Sequence, residues 1–79
     1  MNTITYFKIL LRILAGTAEY HGWRIEWETD PWCRKYGMNY TIYSVMNDLY
    51  THGIRRHTST IKEALSTIDN LNAELGIFV

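Results

Sequence analysis

The chain is expected to fold as a single α+β domain: an N-terminal helix, a three-stranded antiparallel meander and a C-terminal amphipathic helix, in the order α-β-β-β-α. Three observations carry that expectation. Over Ser59 to Val79 a helix start signal, an apolar period of three and four residues and a glycine stop signal all agree. Trp23, Ile25 and Trp27 alternate with Arg24, Glu26 and Glu28, which is the period of a strand with one buried face. No repeat, low-complexity run or linker divides the 79 residues, so residues 1–79 form one domain.

From Thr3 to about Tyr20 the apolar residues Ile4, Tyr6, Phe7, Ile9, Leu10, Leu11, Ile13, Leu14, Ala15 and Ala18 leave only a narrow polar stripe of Thr5, Lys8, Arg12 and Glu19. That spacing predicts a helix apolar around about two thirds of its circumference. Such a helix should be covered on more than one side, by the sheet and by either the C-terminal helix or a second copy of the chain. The β-branched isoleucines keep a strand open for Thr3 to Phe7. His21-Gly22 is the expected helix stop, and Trp23 to Glu28 the first strand.

Asp30-Pro31 breaks that strand, because the residue before proline leaves the helical region and proline cannot donate to a ladder; a turn is expected over roughly Thr29 to Lys35. Tyr36 or Met38 to Val45 reads as the second strand, rich in aromatic and β-branched residues. Asn47-Asp48 suits a tight reversal. Leu49 to His57 is the third strand, crowded by Gly53, His52, Arg55, Arg56 and His57, and charge of that kind suits a sheet edge. In the C-terminal helix Thr60 and Glu63 fit a capping box, Ile61, Ala64, Leu65, Ile68, Leu71 and Leu75 form the buried stripe, and Gly76 followed by Ile77 fits a Schellman stop. The expected core is Ile25, Trp27, Tyr40, Ile42, Ile61, Leu65, Ile68 and Leu71.

Composition limits the function classes. Eight basic residues balance eight acidic ones, which removes the general attraction to nucleic acid that a basic domain has. Lys8 and Arg12 interrupt the apolar run from Tyr6 to Ala15, which argues against both a signal peptide and a membrane span of ~20 residues. A cytoplasmic protein is expected. A single cysteine excludes an internal disulfide, so a core this small looks to self-association for support, and a homodimer is expected from the apolar first helix and the Ile77-Phe78-Val79 tail.

Catalytic and metal constellations find little support. His21, Cys33, His52 and His57 lack the close-paired spacing of a zinc site. Cys33 has no recognisable nucleophile signature, although Arg34 and Lys35 beside it favour a lowered pKa. Glu26 and Glu28 share a strand face, as an acid and base pair would, and are more simply its solvated side. No glycine-rich phosphate loop is present, so no nucleotide or other cofactor is expected and the chain is read as a non-enzyme.

The basic residues carry more. Arg34 and Lys35 lie in the first β-turn and Arg55 and Arg56 on the third strand, with Tyr36, Tyr40, Tyr43 and Tyr50 interleaved. Trp32, in the Asp30-Pro31-Trp32 turn, is the expected exposed anchor. Tyr, Trp and Arg are enriched at the hot spots of protein interfaces, and zero net charge favours protein over nucleic acid. The candidate partner-binding residues are therefore Trp32, Arg34, Lys35, Arg55 and Arg56. The alternative is a nucleic-acid-binding regulator using the same residues with Tyr36 or Tyr50 as stacking groups. The plainest account is that Glu26, Glu28 and Asp30 neutralise these arginines across the sheet.

A short antiparallel sheet followed by the helix Ser59-Thr60-Ile61-Lys62-Glu63-Ala64-Leu65-Ser66-Thr67-Ile68-Asp69 resembles many small phage and mobile-element proteins, some anti-CRISPR proteins among them. The resemblance covers about twenty residues of capped amphipathic helix. It implies a stoichiometric inhibitor that blocks a larger host or defence protein by occupying its surface. No functional residue carries over from it.

Overall fold

A computed structural model describes residues 3–46, 51 and 53–77. The first helix, α1, spans Thr3–Leu14 and ends well before Tyr20. Its predicted last turn is instead a strand, β1 (Thr17–Tyr20), whose residues alternate between exposed and buried. β1 pairs antiparallel with β2 (Trp23–Trp27) through His21-Gly22, with Tyr20 opposite Trp23. His21 and Gly22 have φ of 47° and 90°. Positive φ at both central residues is the signature of a type I′ turn, whose twist matches the strands it joins. The expected helix stop is thus a hairpin turn, and the sheet has four strands where three were expected. A spacing that fits a helix locally was overridden by the ladder that β2 offers to Thr17–Tyr20.

The break at Asp30-Pro31 is itself helical. α2 (Pro31–Lys35) starts with the Asp30 side chain accepting a hydrogen bond from the Trp32 N–H at 2.9 Å and with Pro31 in the first turn, where its missing N–H costs nothing. β3 (Tyr40–Ser44) follows, shorter than the predicted strand, and pairs with β2 so that Ile25 opposes Ile42. β4 (Arg55–Thr58) pairs antiparallel with β3 and closes the order β1-β2-β3-β4, so it is an edge strand as its charge suggested. The predicted reversal at Asn47-Asp48 and the start of that strand at Leu49, Tyr50 and His52 lie outside the described residues, as do Phe78 and Val79.

α3 (Ile61–Leu75) matches its signals at both ends. The Thr60 hydroxyl accepts from the Glu63 N–H at 3.1 Å. Gly76 takes φ 69°, and the Ile77 N–H donates to the Asn72 carbonyl at 2.8 Å, which completes the Schellman stop.

Both helices cover one face of the sheet, α1 over β1 and β2 and α3 over β3 and β4. Between them and the sheet lie Ile9, Ile13, Trp23, Ile25, Ile42, Ile61, Leu65, Ile68 and Leu71, all buried. Two expected core residues differ. Tyr40 is only half buried, and Trp27 is 41% exposed, because β2 carries it past the end of α1 to the open end of the sheet. Polar contacts then fix α3 across the hairpin. The buried Trp23 indole donates to Asn72 Oδ1 at 2.7 Å, Asn72 Nδ2 donates to the His21 carbonyl at 3.1 Å, and the Tyr20 hydroxyl donates to Asp69 at 3.1 Å. Burial, reinforced by the Asp69 carboxylate, raises the Tyr20 pKa, so the hydroxyl keeps the proton it donates.

α1 uses only part of its apolar circumference on the sheet. Ile4, Phe7, Leu11 and Leu14 remain 67%, 54%, 65% and 77% exposed. Among the described residues, no helix is long and apolar enough to cross a membrane.

Candidate protein-binding surface

The end of the sheet where β2 stops and β3 starts gathers most of the exposed aromatic surface. α2 puts Trp32 and Tyr36 four positions apart, on the same side of a helical turn, and their rings meet at 4.8 Å. They are 63% and 61% exposed. The Arg34 guanidinium lies over the Trp27 ring at 4.7 Å, and the Lys35 ammonium is 5.9 Å from the Tyr36 ring. Each cation is attracted by the negative face of a ring that is still partly open to water.

Trp27 also meets Tyr40 edge-on at 5.2 Å, and the two rings form one wall of an open apolar groove of about 450 Å³. Leu10, Ile13 and Leu14 of α1 and Ile61 at the start of α3 line its other sides. The groove exists because the two helices cover different strand pairs and leave the sheet end between them uncovered. Trp27 belongs to both features, so the groove and the α2 cluster form one continuous surface. An apolar depression flanked by aromatic rings and cations is the composition of a protein-binding hot spot.

Of the five residues singled out in the sequence, the fold brings Trp32, Arg34 and Lys35 together on α2 and sets Arg55 and Arg56 apart on β4. Tyr40, near α2, pairs with Thr58, whereas Arg55 pairs with Tyr43, three residues further along the strand or about 10 Å. Arg55 and Arg56 thus belong to the far part of the edge strand. There Arg55 lies 5.4 Å from the Tyr43 ring and Arg56 donates to the Arg55 carbonyl at 3.0 Å.

Neutralisation of the arginines by Glu26, Glu28 and Asp30 does not occur. Glu26 accepts from the Tyr43 hydroxyl at 2.6 Å, Glu28 from the Thr41 hydroxyl at 2.6 Å and the Asp30 N–H at 3.0 Å, and Asp30 caps α2. The ion pairs among the described residues are Arg24 with Glu19, His21 with Asp69 and His57 with Glu28. Arg34, Lys35, Arg55 and Arg56 take part in none of them.

The sheet face away from the helices carries a polar network with Glu28 at its centre. The Thr41 hydroxyl has one proton and gives it to Glu28, so His57 Nδ1, 3.2 Å from Thr41 Oγ1, is the donor in that contact. The Thr41 hydrogen bond, helped by the Asp30 N–H and His57, holds the Glu28 pKa below the usual carboxylate range. Cys33 behaves oppositely to its sequence expectation. Burial, with Asp30 and Glu28 nearby, pushes its thiol pKa up despite the adjacent Arg34 and Lys35. Among the described residues no three His, Cys, Asp or Glu side chains gather around a point where a metal ion would sit.

Sequence reasoning missed Trp27 and the groove. Strand alternation assigns Trp27 to the buried face, which is correct, but it does not show where the covering helix ends. The helical pairing of Trp32 with Tyr36 was foreshadowed by Asp30-Pro31, a helix cap followed by a first-turn proline. No known family model, curated protein or solved structure matches this chain.

Proposed function

We propose that the chain is a non-enzymatic binding protein that occupies the surface of a partner protein, with Trp32, Arg34 and Lys35 of α2 and the adjoining Trp27 groove as its contact surface. The observation that carries this reading is the continuity of Trp32, Tyr36, Trp27 and the groove beside cations that no carboxylate of the described residues neutralises. The likeness to small phage and mobile-element inhibitors makes a host or defence protein in the cytoplasm the partner class. Self-association into a homodimer belongs to the same proposal. Arg55 and Arg56 form a second, separable patch on the edge strand.

The test is capture from nuclease-treated host lysate, followed by measurement of the recovered partner's affinity. Trp32→Ala with Arg34→Ala should weaken binding by about 30-fold or more, the effect of losing one hot spot. Arg55→Ala with Arg56→Ala should weaken it less. Binding unchanged by the first pair refutes the assignment of the surface. Recovery of nucleic acid alone, with an affinity that falls steeply as salt rises, replaces the reading with the nucleic-acid alternative.

A further inference from the structure

The exposed apolar residues of α1 fall at positions 4, 7, 11 and 14, a spacing of three, four and three. That is the a and d pattern of a helix that packs along a second helix. The sheet takes a different side of α1, where Ile9 and Ile13 are buried. The polar side carries Lys8 and Arg12, and no acidic residue occurs between Thr3 and Leu14. What remains uncovered is a narrow apolar seam.

We infer that this seam is the docking surface for a second copy of the chain, with the two α1 helices antiparallel about a two-fold axis that crosses the seam midway between Phe7 and Leu11, level with residue 9 but on the side of the helix away from the sheet. Under that axis Ile4 lies against Leu14 of the second copy and Phe7 against Leu11 of the second copy, and each contact is repeated by symmetry. A seam whose positions sum to the same number at both ends is self-complementary, as a two-fold interface requires. The pairing rests on the self-association proposed above and centres on a different side of α1 from the groove, with Leu10 and Leu14 at the boundary between the two.

The area fits a second copy. Each of the four side chains leaves on the order of 100 Å² of apolar surface in water, so the pair covers roughly 800 Å² before the half-buried Tyr6 and Leu10 and the stems of Lys8 and Arg12 are added. With them it approaches the ~1,000 Å² that a specific interface needs. A bilayer surface suits α1 less well, since an interfacial helix immerses a broad apolar face and the sheet already occupies that side of α1. The occupant also dictates a distinctive salt response. Lys8 lies one residue from the axis, so it approaches its own copy, and salt screens that repulsion. Dimerisation should therefore tighten as salt rises, opposite to what phosphate, anionic lipid or nucleic acid would show.

Sedimentation of the full chain at micromolar concentration, at low and high salt, tests the inference against the 9.3 kDa monomer. The expected result is a dimer that strengthens with salt and that Leu11→Arg weakens by about 100-fold or more, since the change enters the seam twice. Leu11 is exposed within one protomer, so the variant's circular dichroism should stay that of the folded chain. In a Cys33→Ser background, mixed Phe7→Cys and Leu11→Cys chains should crosslink to each other. Crosslinking of each only to itself would mean parallel helices and overturn the geometry. A monomer at all salts overturns self-association and leaves the partner reading standing. A dimer indifferent to Leu11→Arg places self-association elsewhere and overturns the seam. A monomer that binds anionic phosphatidylserine vesicles through Leu11 makes α1 a membrane-surface helix instead.

Discussion

Asn72 is the side chain whose loss should reveal most about how the helix layer is locked to the sheet. It is 7% exposed, its carbonyl oxygen takes the indole proton of Trp23 at 2.7 Å, and its amide donates to the His21 backbone at 3.1 Å. Asn72→Leu keeps the volume and removes both contacts. The His21 carbonyl sits at an exposed turn where water can replace the amide. Trp23 is 0% exposed, so its N–H would be left without any partner, at a cost of about 1–3 kcal/mol. With the second hydrogen bond included, the expected loss is about 2–3 kcal/mol. A domain of this length holds roughly 4–12 kcal/mol in all. Urea unfolding followed by tryptophan emission, at one fixed protein concentration, measures the change as a fall in midpoint with the slope unaltered. In a Trp23→Phe background, which has no indole proton to strand, Asn72→Leu should cost about 1 kcal/mol less. A loss below ~1 kcal/mol, or strict additivity of the two changes, would refute the claim that the buried indole depends on Asn72.

Two further outcomes follow from the same structure. Leu65 is 1% exposed beneath α3, so Leu65→Ala should cost about 2–5 kcal/mol by denaturant titration, and a loss under ~1 kcal/mol would mean that α3 does not dock as described. Glu28 has a folded pKa below its ordinary value, so its contribution is fully present above the unfolded carboxylate pKa and disappears as pH falls through the lowered folded pKa. Wild type should therefore lose more stability than Glu28→Gln between neutral pH and pH 3, and parallel pH profiles for the two proteins would show that the Thr41 contact has no such effect.

The parts of the fold that were legible are those where local chemistry and tertiary packing ask for the same thing. α3 needs its cap, its stripe and its stop whether alone or docked, and Thr60, Leu65 and Gly76 announce all three. β2 likewise alternates because one face is buried. Thr17–Tyr20 is the contrary case. Ala18 and Glu19 continue the helical spacing of α1, and nothing local distinguishes a final helical turn from a short strand that needs β2 to exist. The one local sign was His21-Gly22, whose glycine serves equally as a helix stop or as the second residue of a type I′ turn. Reading it as a stop lengthened α1 by six residues and removed a strand from the sheet.

The same distinction governs the candidate surface. The exposure of Trp32, Arg34 and Lys35 was readable because a turn residue's exposure is a local property, and in the folded chain they share α2. Arg55 and Arg56 were joined to them by an assumed meeting of hairpin ends, which depends on register, and the pairing of Arg55 with Tyr43 puts them further along the edge. Trp27 carried the right strand parity and the wrong burial, because exposure there is decided by the length of α1. That length links the two proposed surfaces. A helix ending at Leu14 leaves the sheet end bare, which opens the groove beside Trp27, and frees residues 17–20 to extend the sheet under α1. The widened sheet takes only the Ile9 and Ile13 side of α1, so the seam of Ile4, Phe7, Leu11 and Leu14 faces water. Early termination of one helix therefore accompanies both the open groove and the exposed apolar seam, which adjoin at Leu14.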